Sequence, residues 1–171
     1  MHLATKSCAT AIILALLTLT ACNRAPVYEW HQIEGPGGTF SVALPGDVVK
    51  QDTPVKSGDP FVKHIFRVKT SENESYACVW WEHPIPGLTP EQSLDNLRDS
   101  VLAALQARLL DEKRLTVQGH PARDIRAIAG DEPSFDNRIV VVGNRVYSLM
   151  VSSRKRDSKN VDKFFKSLVL H

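Results

Sequence analysis

The sequence predicts an α+β fold in which helices pack against a mostly antiparallel sheet. Short stretches that alternate apolar and polar residues recur along the chain, and the turn residues between them are typical of hairpins. Two other stretches repeat apolar residues at helical spacing. With 171 residues, 43% of them hydrophobic and 23% charged, the chain has an ordinary globular composition and enough length for one well-cored domain.

The first element is a secretory signal over residues 1–21. Lys6 precedes an apolar run at residues 9–19. At 1.5 Å of rise per residue this run is too short to cross a hydrocarbon core of about 30 Å, so a permanent membrane-spanning helix is the weaker interpretation. We expect the segment to be removed from the mature protein.

Cys22 completes a sequence, Leu19-Thr20-Ala21-Cys22, that is similar to the lipobox of bacterial lipoproteins. Small residues before the cysteine admit the chain to a peptidase, and the cysteine thiolate takes up the lipid. We therefore expect a lipid anchor on Cys22, a tether over residues 22–27 and a single domain over residues 28–171. The alternative is a plain secretory signal that is cut near Ala21.

Four predicted strands precede the first helix. Residues 39–44 alternate between two turn clusters, and residues 61–70 show the pattern of a half-buried strand. Residues 75–82 are apolar on both faces, which is typical of a strand covered on both sides, and they contain Cys78 as a predicted buried thiol. A further short strand is predicted over residues 28–33.

The longest helix is predicted to begin at Thr89. Thr89 is a suitable N-cap, Pro90 suits the first helical position, and Gln92 is placed to complete a capping box. A stripe of apolar residues then continues at helical spacing and predicts a helix that ends at about Leu110. The stripe consists of Leu94, Leu97, Val101, Leu102, Leu105 and Leu109.

Four more strands and a short helix complete the prediction. Strands over residues 113–118 and 122–128 are separated by Gly119-His120-Pro121, and strands over residues 135–142 and 145–152 by Gly143-Asn144, a two-residue hairpin loop. Asp157 or Ser158 caps the last helix. Its apolar face consists of Val161, Phe164, Phe165 and Leu168.

Four stretches in this order resemble the PsbP-like superfamily, which includes an extrinsic subunit of photosystem II and small bacterial lipoproteins of the DcrB type. They are residues 40–45, residues 119–123, residues 138–149 and residues 164–168. The resemblance implies an α/β/α sandwich around a mostly antiparallel sheet of about six strands. It also implies proteins that dock to larger assemblies and share no catalytic residues.

Two groups of residues are candidates for contact with a partner. Trp81 lies beside Trp80 on a strand, so the two point to opposite faces, and the stiff apolar loop that follows contains Pro84 and Ile85. Burial of both tryptophans and a simple crossover loop are the alternatives. Arg154 and Arg156 belong to the densest positive run, which would face anionic headgroups or an acidic partner unless it is a solvated turn.

Sequence motifs indicate neither an enzyme nor a cofactor protein. The chain has no nucleophile elbow, no phosphate-binding glycine loop, no dinucleotide fingerprint and no pair of ligands at metal-site spacing. Lys and Arg total 21 against 19 acidic residues, which gives no reason to expect nucleic acid as a partner. Arg123, Asp124, Arg126, Asp136 and Arg138 are predicted to form cross-strand ion pairs.

The leading hypothesis is therefore a lipid-anchored, non-catalytic envelope domain that binds a protein partner. A carrier or sensor of a small hydrophobic ligand is one alternative, and a hydrolase with an unrecognised site is another. Asn23 follows the lipidated cysteine, and the usual sorting rule for Gram-negative lipoproteins then favours the periplasmic face of the outer membrane over the inner membrane. No cofactor is expected apart from the covalent lipid, and the oligomeric state stays open.

Overall fold

The computed structural model describes residues 28–54, 62–71, 73–82 and 87–171. The expected signal, the tether with Cys22, and the loop residues Pro84 and Ile85 lie outside these residues. In chain order the elements are β1 (Trp30–Glu34), a 3-10 turn (Pro36–Gly38), β2 (Phe40–Pro45), β3 (Val49–Pro54), β4 (Val62–Ser71), β5 (Glu74–Glu82), α1 (Pro90–Ala104), β6 (Arg108–Val117), β7 (His120–Ile128), β8 (Ser134–Val142), β9 (Arg145–Ser153), α2 (Ser158–Lys166) and β10 (Val169–Leu170).

Two antiparallel sheets form the centre of the part that the structure describes. The larger has seven strands in the order β3-β4-β5-β9-β8-β7-β6, and the smaller has three in the order β1-β2-β10. Successive side chains of a strand point to opposite faces, so the larger sheet has one face towards α1 and the other towards α2. We call these the α1 face and the α2 face.

The α2 face carries the main hydrophobic core. Strand β2 of the small sheet and α2 lie over it, and Tyr76, Cys78 and Trp80 of β5 point into the same cluster. The ring of Phe40 from β2 lies 5.0 Å from that of Trp80 and 5.1 Å from that of Tyr147, both in edge arrangements that aromatic pairs prefer. This layer joins the two ends of the described chain to the middle of the sheet.

The α1 face carries two smaller apolar clusters. Leu94 and Leu97 of α1 pack on Trp81 and on residues of β8 and β9, while Val101 and Leu102 pack near Ile125. Helix α1 begins as predicted: Gln92 N donates to Thr89 Oγ1 at 3.2 Å, and Thr89 N donates to Gln92 Oε1 at 2.9 Å. The layers are therefore α1, the large sheet, and α2 with the small sheet, which confirms the predicted α+β sandwich.

The end of α1 is a correction to the sequence prediction. The helix ends at Ala104, because Gln106 adopts a φ of 48° and Ala107 N donates to the Leu102 carbonyl at 2.8 Å, which is the pattern of a Schellman cap. Strand β6 begins at Arg108, so Leu109 belongs to a strand. The predicted leucine stripe continued past this point because hydrophobic spacing alone does not register a left-handed cap.

Strand number is the second correction. The strand predictions omitted β3 and β10, and because β3 belongs to the large sheet, that sheet has seven strands among the described residues where about six were expected. Strand β3 is a polar edge strand, Val49-Lys50-Gln51-Asp52-Thr53-Pro54, without the alternation that marks a half-buried strand. The hairpin at Gly143-Asn144 is confirmed, since Val142 pairs with Arg145 and Gly143 has a φ of 58°.

Candidate functional site

Both tryptophans of β5 are buried. Trp80 is 6% exposed in the α2-face core, and Trp81 is 8% exposed beneath α1, with the Lys63 ammonium 5.3 Å above its ring. The burial alternative is therefore confirmed, because the strand is covered on both faces. Trp81 therefore cannot act as an exposed anchor in this conformation.

The two arginines of the positive run have different surroundings. Arg156 Nε donates to both carboxylate oxygens of Asp136, at 3.0 and 2.9 Å, and this pairing raises the pKa of Arg156. Arg154 is exposed and donates from Nη1 to the Asp131 carbonyl at 3.2 Å. Arg156 thus joins the run to β8, and Arg154 remains part of the positive surface.

Cys78 has the surroundings of a structural thiol. It is fully buried on the α2 face, and burial raises the pKa of the thiol to about 12. A thiol is nucleophilic as its thiolate, so Cys78 is unreactive at neutral pH. The predicted buried cysteine is confirmed.

Arg123 on β7 is the most deeply buried charge of the described residues. Its side chain has no exposed surface and points to the α1 face, where it contacts three carboxylates. Arg123 Nη2 lies 3.0 Å from Glu91 Oε2, Nη1 lies 3.0 Å from Glu112 Oε1, and Nη1 also donates to Asp95. The guanidinium therefore joins α1 and the edge strand β6 to the sheet.

The charged side chains next to Arg123 belong to one network of ion pairs. The hydrogen bond from Arg123 holds the pKa of Asp95 below its usual range. Arg98 of α1 extends the network, with Nη1 at 3.0 Å from Glu112 Oε2 and Nε at 2.8 Å from Asp99 Oδ1. Apart from the Arg98–Asp99 pair within α1, these contacts join α1, β6 and β7 to one another, so the cluster is a structural support and not a reactive centre.

The cross-strand pairs predicted from the sequence are confirmed in part. Arg138 donates from Nε and Nη2 to the two Asp124 oxygens, both at 2.7 Å, between β7 and β8. Arg123 and Asp136 instead bond outside the predicted group. Strand alternation could have predicted the burial of Arg123. This residue shares a strand face with Ile125 and Ala127, so a charge at that position requires buried partners.

The α1 face has a second half that no described helix covers. α1 packs mainly on β7 and β8, and a cleft of about 480 Å³ opens on the same face near the β4–β5 hairpin. We call it the open cleft. Adjacent strand positions line it in two cross-strand rows, which are Val49, Arg67 and Ala77, and then Lys69, Ser75 and Ser152.

The open cleft combines apolar side chains with the charges of Arg67 and Lys69, and the Glu74 carboxylate, which accepts from Thr70 and Tyr76, also lines it. Val49 is 52% exposed and pairs directly with Arg67 of β4. Arg67 and Lys69 are exposed, while Ala77 is half-buried on the floor. Sequence patterns alone do not reveal this site, because they do not predict β3 and the two rows form only when β3, β4, β5 and β9 are adjacent.

A smaller pocket of about 380 Å³ lies on the α2 side of β3 and β4. The ring of His64 is stacked on Trp80 at 5.1 Å, and Nδ1 of His64 lies 2.9 Å from Asp52 Oδ1. No described residue lining this pocket is a serine, threonine or cysteine, so the His–Asp pair lacks a nucleophile there. This pocket therefore gives no support to the alternative that the protein is a hydrolase.

The described residues contain neither a cluster of metal ligands nor a helix that could span a membrane. Within them, no three His, Cys, Asp or Glu side chains form a group that could hold a metal ion. No helix in the same ranges is long and apolar enough to cross a membrane.

Comparisons with known proteins identify the fold. No family model matches the sequence, and no curated protein matches it. Among solved structures, cyanobacterial PsbP (CyanoP) from Synechocystis sp. PCC 6803 superposes with a TM-score of 0.59 at 15% identity, covering 90% of this chain and 99% of that chain. The fold is PsbP-like.

Two further structures share this PsbP-like fold. The Ran-binding protein Mog1p of Saccharomyces cerevisiae matches with a TM-score of 0.50 at 8% identity, over 84% of this chain and 96% of that chain. A Mog1 variant matches with a TM-score of 0.51 at 10% identity, over 83% of this chain and 96% of that chain. At these identities the likeness establishes the PsbP-like architecture, and the DcrB type is not distinguished from it.

Proposed function

We propose that the protein is a lipid-anchored, non-catalytic domain of the bacterial cell envelope that binds a protein partner through the open cleft. The observation that carries the proposal is the row Val49–Arg67–Ala77, a partly apolar and cationic surface on the half of the α1 face that no described helix covers. Exposed apolar patches that are rimmed by charge are typical of protein interaction sites.

Partner binding is in keeping with the structures that share the fold. Mog1p, whose structure is described as that of a Ran-binding protein, has the same architecture and uses a protein partner. The membrane part of the proposal rests on Leu19-Thr20-Ala21-Cys22, and Asn23 favours the outer membrane. Lipidation of Cys22 holds the domain at the membrane surface, since two or three acyl chains anchor stably where one does not.

Site-specific photo-crosslinking in the native cell tests the cleft. A photoreactive amino acid is placed at Ser71 in one variant, because Ser71 is exposed and lines the open cleft, and at Lys113 in the control, because Lys113 is exposed on β6 at the opposite edge of the sheet. We expect one envelope protein to crosslink at position 71 and not at position 113. Adding Val49→Glu should abolish that crosslink, and equal crosslinking from both positions would contradict the proposal.

Lipidation has its own measurement. Metabolic labelling with an alkyne fatty acid, followed by mass spectrometry of the N-terminal peptide, should place the lipid on Cys22. The Cys22→Ala variant should lose the label and be released from membranes. A labelled peptide that lacks Cys22, or a wild-type protein without label, would refute the anchor and leave the crosslinking result unaffected.

A carrier or sensor of a small hydrophobic ligand is the second candidate. Its support is the volume of the open cleft, about 480 Å³, which falls within the usual range for small-molecule sites. Native mass spectrometry of the protein purified from its own cells should then show a retained ligand. Val49→Glu should remove that ligand and Lys113→Glu should not.

A further inference from the structure

The described chain begins next to α2. Lys163 of α2 holds its ammonium 4.5 Å above the ring of Trp30, and Trp30 lies 5.8 Å from Tyr76 in the core. Gly46 N also donates to the Glu29 carbonyl at 2.8 Å, so residues 29 and 30 are fixed to the domain. The point where the expected tether joins the domain is therefore beside this helix.

The tether length limits how far that point can be from a lipid anchor. Residues 22–27, at no more than about 3.5 Å each, span at most about 20 Å. If Cys22 carries its acyl chains into the bilayer, Trp30 and the neighbouring surface of α2 stay close to the headgroups. A longer tether would remove this constraint.

The outer face of α2 is positively charged. Val161, Phe164 and Phe165 are buried in the core, and the opposite side of the helix exposes a stripe of lysines at helical spacing. The stripe consists of Lys159, Lys163 and Lys166, and the exposed Arg154 and Lys155 precede it. Exposed Asp162 lies on the same side of α2 as one opposing charge, so this surface keeps a net positive charge. Asp157 is occupied as the N-cap, accepting hydrogen bonds from Lys159 N and Asn160 N.

We propose that the lysine stripe of α2 lies against anionic lipid headgroups of the membrane that holds the anchor; this rests on the proposed lipidation of Cys22. Each lysine near an anionic surface adds roughly fivefold to membrane partition, so three contribute on the order of a hundredfold. The open cleft lies on the opposite face of the large sheet, so this orientation points the cleft away from the bilayer and towards a partner.

The test uses the mature lipidated protein in vesicles. It is reconstituted into phosphatidylcholine alone, or with phosphatidylglycerol added, and its lysines are acylated and quantified by mass spectrometry. We expect Lys159, Lys163 and Lys166 to react several-fold more slowly in the anionic vesicles, with the difference removed by high salt. Lys69, which lines the open cleft on the α1 face of the sheet, is the internal control and should react equally in both. Equal reactivity of the α2 lysines in the two vesicle types overturns the proposal.

A second measurement separates this proposal from lipidation itself. The mature chain, residues 22–171 with Cys22→Ala, is mixed with anionic vesicles, and flotation measures its partition without the lipid and without the apolar run at residues 9–19. Changing Lys159, Lys163 and Lys166 to Glu should lower that partition by at least about a hundredfold, because it removes three attractive charges and adds three repulsive ones, and changing them to Arg should preserve it. No loss on charge reversal overturns the lysine stripe even where labelling places a lipid on Cys22. Conversely, an unlipidated wild type with charge-dependent flotation refutes only the anchor.

An acidic protein partner is the competing occupant, and the same labelling distinguishes it. Lysines of α2 that are protected in intact cells but fully reactive in protein-free anionic vesicles would show that a protein covers them. That result overturns the lipid assignment.

Discussion

The two halves of the α1 face are built from the same sheet, yet they use arginine in opposite ways. Under α1, Arg123 is fully buried and bonds to Glu91, Asp95 and Glu112. In the uncovered half, Arg67 is exposed beside Val49 and lines the open cleft. Both arginines lie on strands and point to the same side. The element above the strand, and not the residue type, decides whether a charge supports the fold or is available to a partner.

The largest difference between the halves is expected for truncated apolar side chains. Leu94 is fully buried under α1, so Leu94→Ala should lower the free energy of unfolding by about 3–4 kcal/mol through lost burial and a residual cavity. Ile65→Ala in the uncovered half should cost no more than about 1 kcal/mol, because that side chain is half-buried. Urea denaturation measures both, and equal losses would show that the second half is covered in solution.

Removing the buried guanidinium should have the next largest effect. Arg123→Met leaves three carboxylates close together without their cation and should lower the free energy of unfolding by about 2–3 kcal/mol. Partial exposure of those carboxylates keeps the cost below that of a fully buried pair. The matched variant is Arg67→Met, which should change stability by less than about 0.5 kcal/mol. A smaller loss for Arg123→Met than for Arg67→Met would contradict the structural role.

The cluster also predicts a dependence on pH. The pKa of Asp95 is lowered in the folded state, chiefly by its hydrogen bond from Arg123, so its stabilisation is present above the unfolded pKa near 4 and is lost as the pH falls through the lowered value. Asp95→Asn should therefore be less stable than wild type at neutral pH, and the gap should close in acid. Asp162→Asn on α2 is the control, and a gap that widens in acid would refute the linkage.

Reversing the charge of Arg67 should have the smallest effect on stability and the largest effect on partner binding. Arg67→Glu reverses an exposed charge and should change the free energy of unfolding by less than about 0.5 kcal/mol. It should nevertheless abolish the crosslink formed next to the open cleft, whereas Lys113→Glu should leave the crosslink intact. Thermal unfolding measures the stability of each variant, and crosslinking of the same preparations measures binding. A destabilised Arg67→Glu variant would show that Arg67 supports the fold.

Local signals predicted much of the fold. The capping box at Thr89, the hairpin at Gly143 and the buried Cys78 each depend on a few adjacent residues, and each is confirmed. The end of α1 was missed because Gln106 adopts a left-handed conformation that its residue type does not announce. Strand β3 was missed because an edge strand needs no apolar face.

The candidate site was much less predictable than the fold. The open cleft depends on Val49, Arg67 and Ala77 becoming neighbours across three strands, a register that no local pattern contains. Trp81 was an attractive candidate anchor because an aromatic residue suits an interface, and only the position of α1 shows that it is buried. Pro84 and Ile85 of the following loop, and lipidation of Cys22, stay predictions.

The small sheet joins residues near the end of the described chain to residues near its beginning. Leu170 of β10 pairs with Phe40 of β2, Ser167 Oγ accepts from Ala43 N at 2.9 Å, and Gln118 Nε2 donates to the Leu168 carbonyl at 2.9 Å. Contacts this far apart in sequence form late, because closing the long loop between them costs entropy. The α2-face core therefore stays incomplete until α2 packs on it and β10 pairs with β2, so the residues from Ser158 onward complete a core that begins at Phe40.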